Sequence, residues 1–135
     1  MNAKQIISNS EELMDYLSMI NRMFLKKVGK VWLIGSRANK RSKENSDWEV
    51  LLEGDLSVVH EMSKDPQKYR IDNIDILIVF DGNNFRSPFE EKKGSKSSWH
   101  WKEIEGRYFY RRGKNKDTQF INGLDEAILI SDFTK

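Results

Sequence analysis

Two glycines bracket a short apolar run, Gly29 ahead of Val31-Trp32-Leu33-Ile34 and Gly35 directly behind it. A continuous apolar stretch of this length between turn-forming residues predicts a buried strand. Ahead of it, Leu13, Leu17, Ile20, Phe24 and Val28 recur at helical spacing, which predicts an amphipathic helix from about Glu11 to Lys27. Ser8 with Glu11 forms a capping-box pattern at its start, and Gly29 reads as its stop.

After Gly35 the chain is polar and basic from Ser36 to Ser46. Asp47-Trp48-Glu49-Val50-Leu51-Leu52 follows, in which Asp47, Glu49 and Leu51 alternate against Trp48, Val50 and Leu52. Alternation of period two predicts a second strand with both acids on one face. Asp55 to Lys64 predicts a helix, capped by Asp55 or Ser57, lined by Leu56, Val59 and Met62, and ended by Pro66. Ile71 to Phe80 is dense in β-branched residues and predicts a third strand, closed by the Asp81-Gly82 turn. Asn83 to Ser98 reads as loop, with Lys92-Lys93-Gly94-Ser95-Lys96 as a mobile surface segment. Arg107 to Tyr110 and Ala127 to Ile130 read as late strands, the last one closing the sheet. The order of elements predicts an α+β domain, a small mixed sheet with helices packed on one side.

At 135 residues the chain suits one domain, residues 1–135. A net charge of +2 does not by itself argue for nucleic acid. The chain has no cysteine, which removes disulfides, thiolate catalysis and cysteine-based zinc sites. With two histidines, His60 and His100, it is poor in imidazole ligands as well. Chemistry must come from carboxylates, hydroxyls and cations. The first residues show no signal-peptide pattern, and no run approaches the roughly 18 apolar residues of a spanning helix. The expectation is a cytoplasmic protein without membrane partners.

The chemistry-bearing constellation is Ile34-Gly35-Ser36, a spacer of ten residues, then Asp47-Trp48-Glu49-Val50, with Ile74-Asp75-Ile76 on a later strand. A strand ending in Gly-Ser lets backbone approach a ligand closely, and a helical turn starting at Ser36 would offer N–H groups to phosphate. Two acids at i and i+2, placed beside a third on a neighbouring strand, make an all-oxygen pocket suited to Mg²⁺ or Mn²⁺. Each piece has a plain alternative: a turn, the solvated face of a strand, and for Asp75 a buried Arg or Lys partner. Trp99 and Trp101 alternate, with Tyr108 and Tyr110 nearby, which suits either core packing or a base-stacking platform. His60 and His100 read as surface or structural residues.

Gly35-Ser36-Arg37-Ala38, Ser46-Asp47-Trp48-Glu49 and Asp75 together resemble the motifs of the DNA polymerase beta-like nucleotidyltransferase superfamily, over about residues 31 to 80. Within it the resemblance is nearest to the minimal nucleotidyltransferases, including the antitoxin partners of HEPN toxins. The resemblance implies a polymerase beta palm-like fold and a two-metal adenylyltransferase, with AMP passing from ATP to a hydroxyl on a protein, an RNA end or a small molecule. It implies that Asp47, Glu49 and Asp75 are catalytic and hold Mg²⁺ or Mn²⁺, and that Gly35 and Ser36 hold the terminal phosphates. Arg37, ahead of Lys40, Arg41 and Lys43, is the expected neutraliser of triphosphate charge. The chain departs from the commoner pattern in carrying Glu49 as second acid and bulky Trp48 between the acids, and Asp72 rivals Asp75 as the third. The alternative is a catalytically inactive module of the same fold that binds nucleotide, RNA or a protein.

Overall fold

The computed structural model describes residues 10–40, 42–43, 46–112 and 124–135. Ser8, Arg41 and Gly113 lie outside the described residues. The chain runs α1 (Glu11–Met23), β1 (Val28–Ile34), α2 (Gly35–Ala38), β2 (Trp48–Gly54), α3 (Leu56–Lys64), α4 (Pro66–Tyr69), β3 (Ile74–Val79), β4 (Asn84–Arg86), β5 (Lys93–Ser95), β6 (Lys102–Ile104), β7 (Arg107–Tyr110) and β8 (Asp125–Asp132). The strands form one mixed sheet in the order β5-β4-β3-β2-β1-β8-β7-β6. This is an α+β protein, as expected. Among the described residues, no helix is long and apolar enough to cross a membrane.

The helices pack on one face of the sheet. Leu13, Leu17 and Ile20 of α1 and Val58, Val59 and Met62 of α3 are buried against Val31, Leu33, Val50, Leu52, Ile76 and Ile78. Each fully buried aliphatic side chain contributes roughly 1.5–3 kcal/mol relative to exposure, so the α1 stripe alone anchors that helix. The opposite face carries Trp32, Ile34, Leu51, Val79 and Phe85, covered by Tyr110 and Ala127 with Trp99, Trp101 and Tyr108 beside them. Strand alternation separates the two sets: Val50 and Leu52 face the helices, Leu51 faces the aromatic side.

Several boundaries differ from expectation. The first helix ends at Met23, not near Lys27, because Lys26 adopts φ 67° and turns the chain into β1. Val28 therefore opens a strand instead of extending the helical stripe. Gly29 is inside that strand: the β1–β2 register shifts between Val28 and Val31, and a Cβ on Gly29 would stand 3.0 Å from Glu53 Oε1. This glycine marks a bulge, not a helix stop. Pro66 ends α3 as expected but also opens the single turn of α4. The third strand is shorter than predicted, Ile74–Val79, leaving Ile71 and Asp72 ahead of it.

Residues 83–98 are not simply loop. β4 pairs with β3 and with β5, and the Phe85 ring lies under Gly94, where a Cβ would come within 2.9 Å of it. The segment read as a mobile lysine loop is thus an ordered sheet edge. Its Lys96 Nζ sits 4.4 Å over the Trp32 ring and 4.9 Å over Trp101. Burial lowers the pKa of that amine. The last strand does not close the sheet at an edge. β8 inserts between β1 and β7.

Candidate functional site

The β1–β2 pair is antiparallel and the β2–β3 pair parallel. The end of β1 and the starts of β2 and β3 therefore meet at one margin of the sheet. Ile34 stands opposite Glu49, and Glu49 stands beside Asp75. These three residues form one cross-strand row, so Gly35-Ser36 emerge next to the acids. Glu49 and Asp75 share a face because their neighbours Val50, Ile74 and Ile76 all enter the helix-side core. The carboxylates thus lie on the aromatic side. Asp72 lies in the turn before β3 and is exposed.

Asp47 precedes β2 and is exposed. It lines a cavity of about 160 Å³ together with Asp72, Asp75, Arg70 and Lys92. Among the described residues, no three acids or histidines are gathered closely enough to hold a metal ion. The structure thus brings Glu49 and Asp75 side by side and leaves Asp47 at the lip.

Both paired acids have a cation on them. Lys92 Nζ donates to Asp75 Oδ2 at 3.2 Å and lies 3.2 Å from Glu90 Oε2. These hydrogen bonds, with Asp75 the larger contributor, raise the Lys92 pKa. The pair is solvent-accessible, with the Lys92 side chain 55% and Asp75 27% exposed. Arg112 Nη2 donates to Glu49 Oε1 at 3.3 Å. Burial works against the Arg112 charge, but the fields of Glu49 and Tyr110 outweigh it and raise its pKa.

Gly35 is required at the turn for two reasons. Its φ is +74°, a conformation that side-chain-bearing residues rarely adopt. A Cβ there would stand 1.8 Å from Glu49 Oε2. The absent side chain is the space in which the Glu49 carboxylate sits. The Gly35 N–H donates to the Tyr110 hydroxyl at 2.8 Å. Burial of Tyr110 raises its phenol to about 12. The Gly35 amide is therefore engaged within the protein, and Ser36, the next residue, is half-buried.

Asn39 ties this turn to β8. Its Nδ2 donates to the Gly35 carbonyl at 2.9 Å and to the Glu126 carbonyl at 3.1 Å, and its Oδ1 accepts the Glu126 N–H at 2.8 Å. Arg37 is engaged at the start of β2. Its Nε and Nη2 donate to the Ser46 carbonyl at 3.0 and 2.6 Å, and its guanidinium stacks 4.2 Å over the Trp48 ring. The bulk of Trp48 thus has a purpose: it forms the platform on which Arg37 pins the loop to the start of β2.

Trp99 and Trp101 do not alternate along a strand. Trp99 lies in a turn and Trp101 just ahead of β6. Trp99 stacks on Tyr110 with centroids 5.3 Å apart, and Trp101 packs edge-on to Trp32 at 5.2 Å. These rings build the second core, the plainer of the two readings. His60 and His100 are both exposed. Asn39, Lys92 and Arg112 carry no motif, and no local pattern marks them as partners of residues 17 to 87 positions away.

The donors present are hard oxygens, Glu49 and Asp75 in adjacent register with Asp47 two residues before Glu49, and this chemistry suits Mg²⁺ or Mn²⁺. A divalent ion here would have Glu49 and Asp75 exchange their Arg112 and Lys92 contacts for it. Comparison with protein-family models, curated proteins and solved structures gives no match to this chain.

Proposed function

We propose that the protein is a metal-dependent nucleotidyltransferase that moves a nucleoside monophosphate, AMP from ATP, onto a hydroxyl acceptor. The observation that carries this reading is the row Ile34–Glu49–Asp75, which sets the Gly35-Ser36 turn beside two carboxylates on one face. In this reading Glu49 and Asp75, side by side on their strands, would hold Mg²⁺ or Mn²⁺, and Asp47 would have to turn in from the lip to join them. The bound ion supplies charge neutralisation and alignment for an in-line displacement at phosphorus. Asp75 accepts the proton of the attacking hydroxyl. The acceptor oxygen bonds to the α-phosphorus as the bond to the β-phosphate oxygen breaks, and pyrophosphate leaves. Ser36 offers its N–H and hydroxyl to the terminal phosphates, and Gly35 leaves the space in which the Glu49 carboxylate stands beside them. The acceptor class, protein, RNA end or small molecule, follows from the resemblance alone.

The test is binding of each nucleoside triphosphate with and without Mg²⁺, in the wild type, Asp47→Asn and Glu49→Gln. Mg²⁺-dependent binding that both variants lose supports the site. Failure of every triphosphate to bind, with or without Mg²⁺, ends the proposal.

The non-catalytic module remains the second reading, favoured by one observation: Glu49 and Asp75 each already have a cation partner in Arg112 and Lys92. The two readings part on turnover. Metal-dependent release of pyrophosphate supports the enzyme. Nucleotide binding that persists unchanged in Asp75→Asn, with no pyrophosphate released by the wild type, supports the module.

A further inference from the structure

Arg112 follows β7 on the aromatic face, 63 positions from the acid it touches. Its guanidinium lies 5.1 Å from the Trp99 ring and 6.0 Å from Tyr110, which together orient it. Its Nη2 would be 3.6 Å from a Cβ on Gly35, so one arm of the fork lies beside the Gly35 turn, next to the Glu49 carboxylate. The contact with Glu49 is a single bond of 3.3 Å, not the bidentate fork that arginine makes with a well-matched carboxylate. Its Nε is buried and has no hydrogen-bond partner among the described residues. An arginine so placed makes less than its donor geometry allows. Arg37, the cation that the motif itself suggests for the phosphates, has its Nε and Nη2 on the Ser46 carbonyl and its face on Trp48.

We propose that Arg112 is the anion-binding residue of this site and exchanges partners when the site fills: it holds Glu49 when no ligand is bound, and takes a phosphate group of the triphosphate once a divalent cation takes Glu49. The inference rests on the triphosphate reading above. The physical basis is that Glu49 cannot satisfy a dication and a guanidinium equally, since the two positive groups repel each other. The freed fork is already beside the Gly35 turn, and a phosphate bound at that turn offers two oxygens in the geometry that a guanidinium fits. Arg112 would then suppress metal binding in the absence of nucleotide and promote it in its presence.

This predicts effects of opposite sign. Arg112→Gln should bind Mn²⁺ alone up to about fivefold more tightly, the scale of releasing a partly exposed ion pair. It should bind inorganic tripolyphosphate with Mg²⁺ about 10- to 100-fold more weakly, the scale of lost charge-assisted hydrogen bonds. Arg112→Lys, which keeps the charge and loses the fork, should fall between on tripolyphosphate, and it serves as the test should the glutamine variant fail to fold. Equal weakening toward both ligands, or tripolyphosphate binding unchanged in either variant, overturns the proposal. The parent reading fails differently: the wild type itself then binds no tripolyphosphate and no nucleotide.

Discussion

The Tyr110 hydroxyl accepts the Gly35 N–H at 2.8 Å across 75 residues of sequence. This bond joins the second half of the chain to the turn at the head of the candidate site. Removing it in Tyr110→Phe leaves a buried amide without an acceptor, which costs on the order of 1–3 kcal/mol. Denaturant melts of the two proteins at neutral pH measure that loss.

The same phenol sets an alkaline limit. Burial raises Tyr110 to about 12, whereas an unfolded tyrosine ionises near pH 10. Below about pH 10 both states hold the proton, and the stabilising contribution is complete. As pH rises toward 12 the unfolded chain gives up its proton while the folded chain keeps it, so stability falls. Tyr16 is raised by burial as well and adds to the same limb. Melts at about pH 9 and about pH 11 should show a smaller loss in Tyr110→Phe than in the wild type, with the Tyr16 part remaining.

Gly35→Ala should destabilise by about 1–3 kcal/mol from the left-handed backbone alone. The displaced Glu49 carboxylate adds to that, because the new Cβ would occupy its place. In a Glu49→Ala background the steric part disappears and the backbone part stays. A double-mutant cycle on thermal stability should therefore give a smaller penalty for Gly35→Ala in that background. Equal penalties would mean that the carboxylate does not occupy the space over Gly35.

Asn39 makes three side-chain bonds, to Gly35 and to both backbone groups of Glu126. Asn39→Ala should cost about 2–4 kcal/mol, since partly buried backbone groups lose their partners. Asn39→Asp should be nearly as damaging, because the carboxylate cannot donate to the two carbonyls. Chemical-denaturation midpoints for the three proteins check the order.

The parts of the fold that were legible in the sequence are those set by local periodicity. Leu13, Leu17 and Ile20 announce the helix and are all buried on one face of it. Glu49, Val50, Leu51 and Leu52 lie in the strand that their alternation announces, with Asp47 just ahead of it, and Asp75 stands inside the next strand with Asp72 ahead of it. Gly29 misled because a glycine at a bulge and a glycine at a helix end carry the same signal. β4 and β5 were hidden because Phe85 is the single buried residue in two three-residue strands. The position of β8 between β1 and β7 depends on pairing across almost the whole chain, which periodicity does not encode. At the site, the charge pairs Arg112–Glu49 and Lys92–Asp75 and the Asn39 clamp are products of that long-range pairing.

The most direct test of the central claim replaces Mg²⁺ by paramagnetic Mn²⁺ in the presence of a nucleoside triphosphate and follows the backbone amide resonances. The account predicts that broadening begins at Gly35, Ser36, Glu49 and Asp75, that it requires the triphosphate for full effect, and that Glu49→Gln removes it. Broadening centred elsewhere on the protein, or none at any of these four amides, would contradict the claim that this margin of the sheet is a metal–nucleotide site.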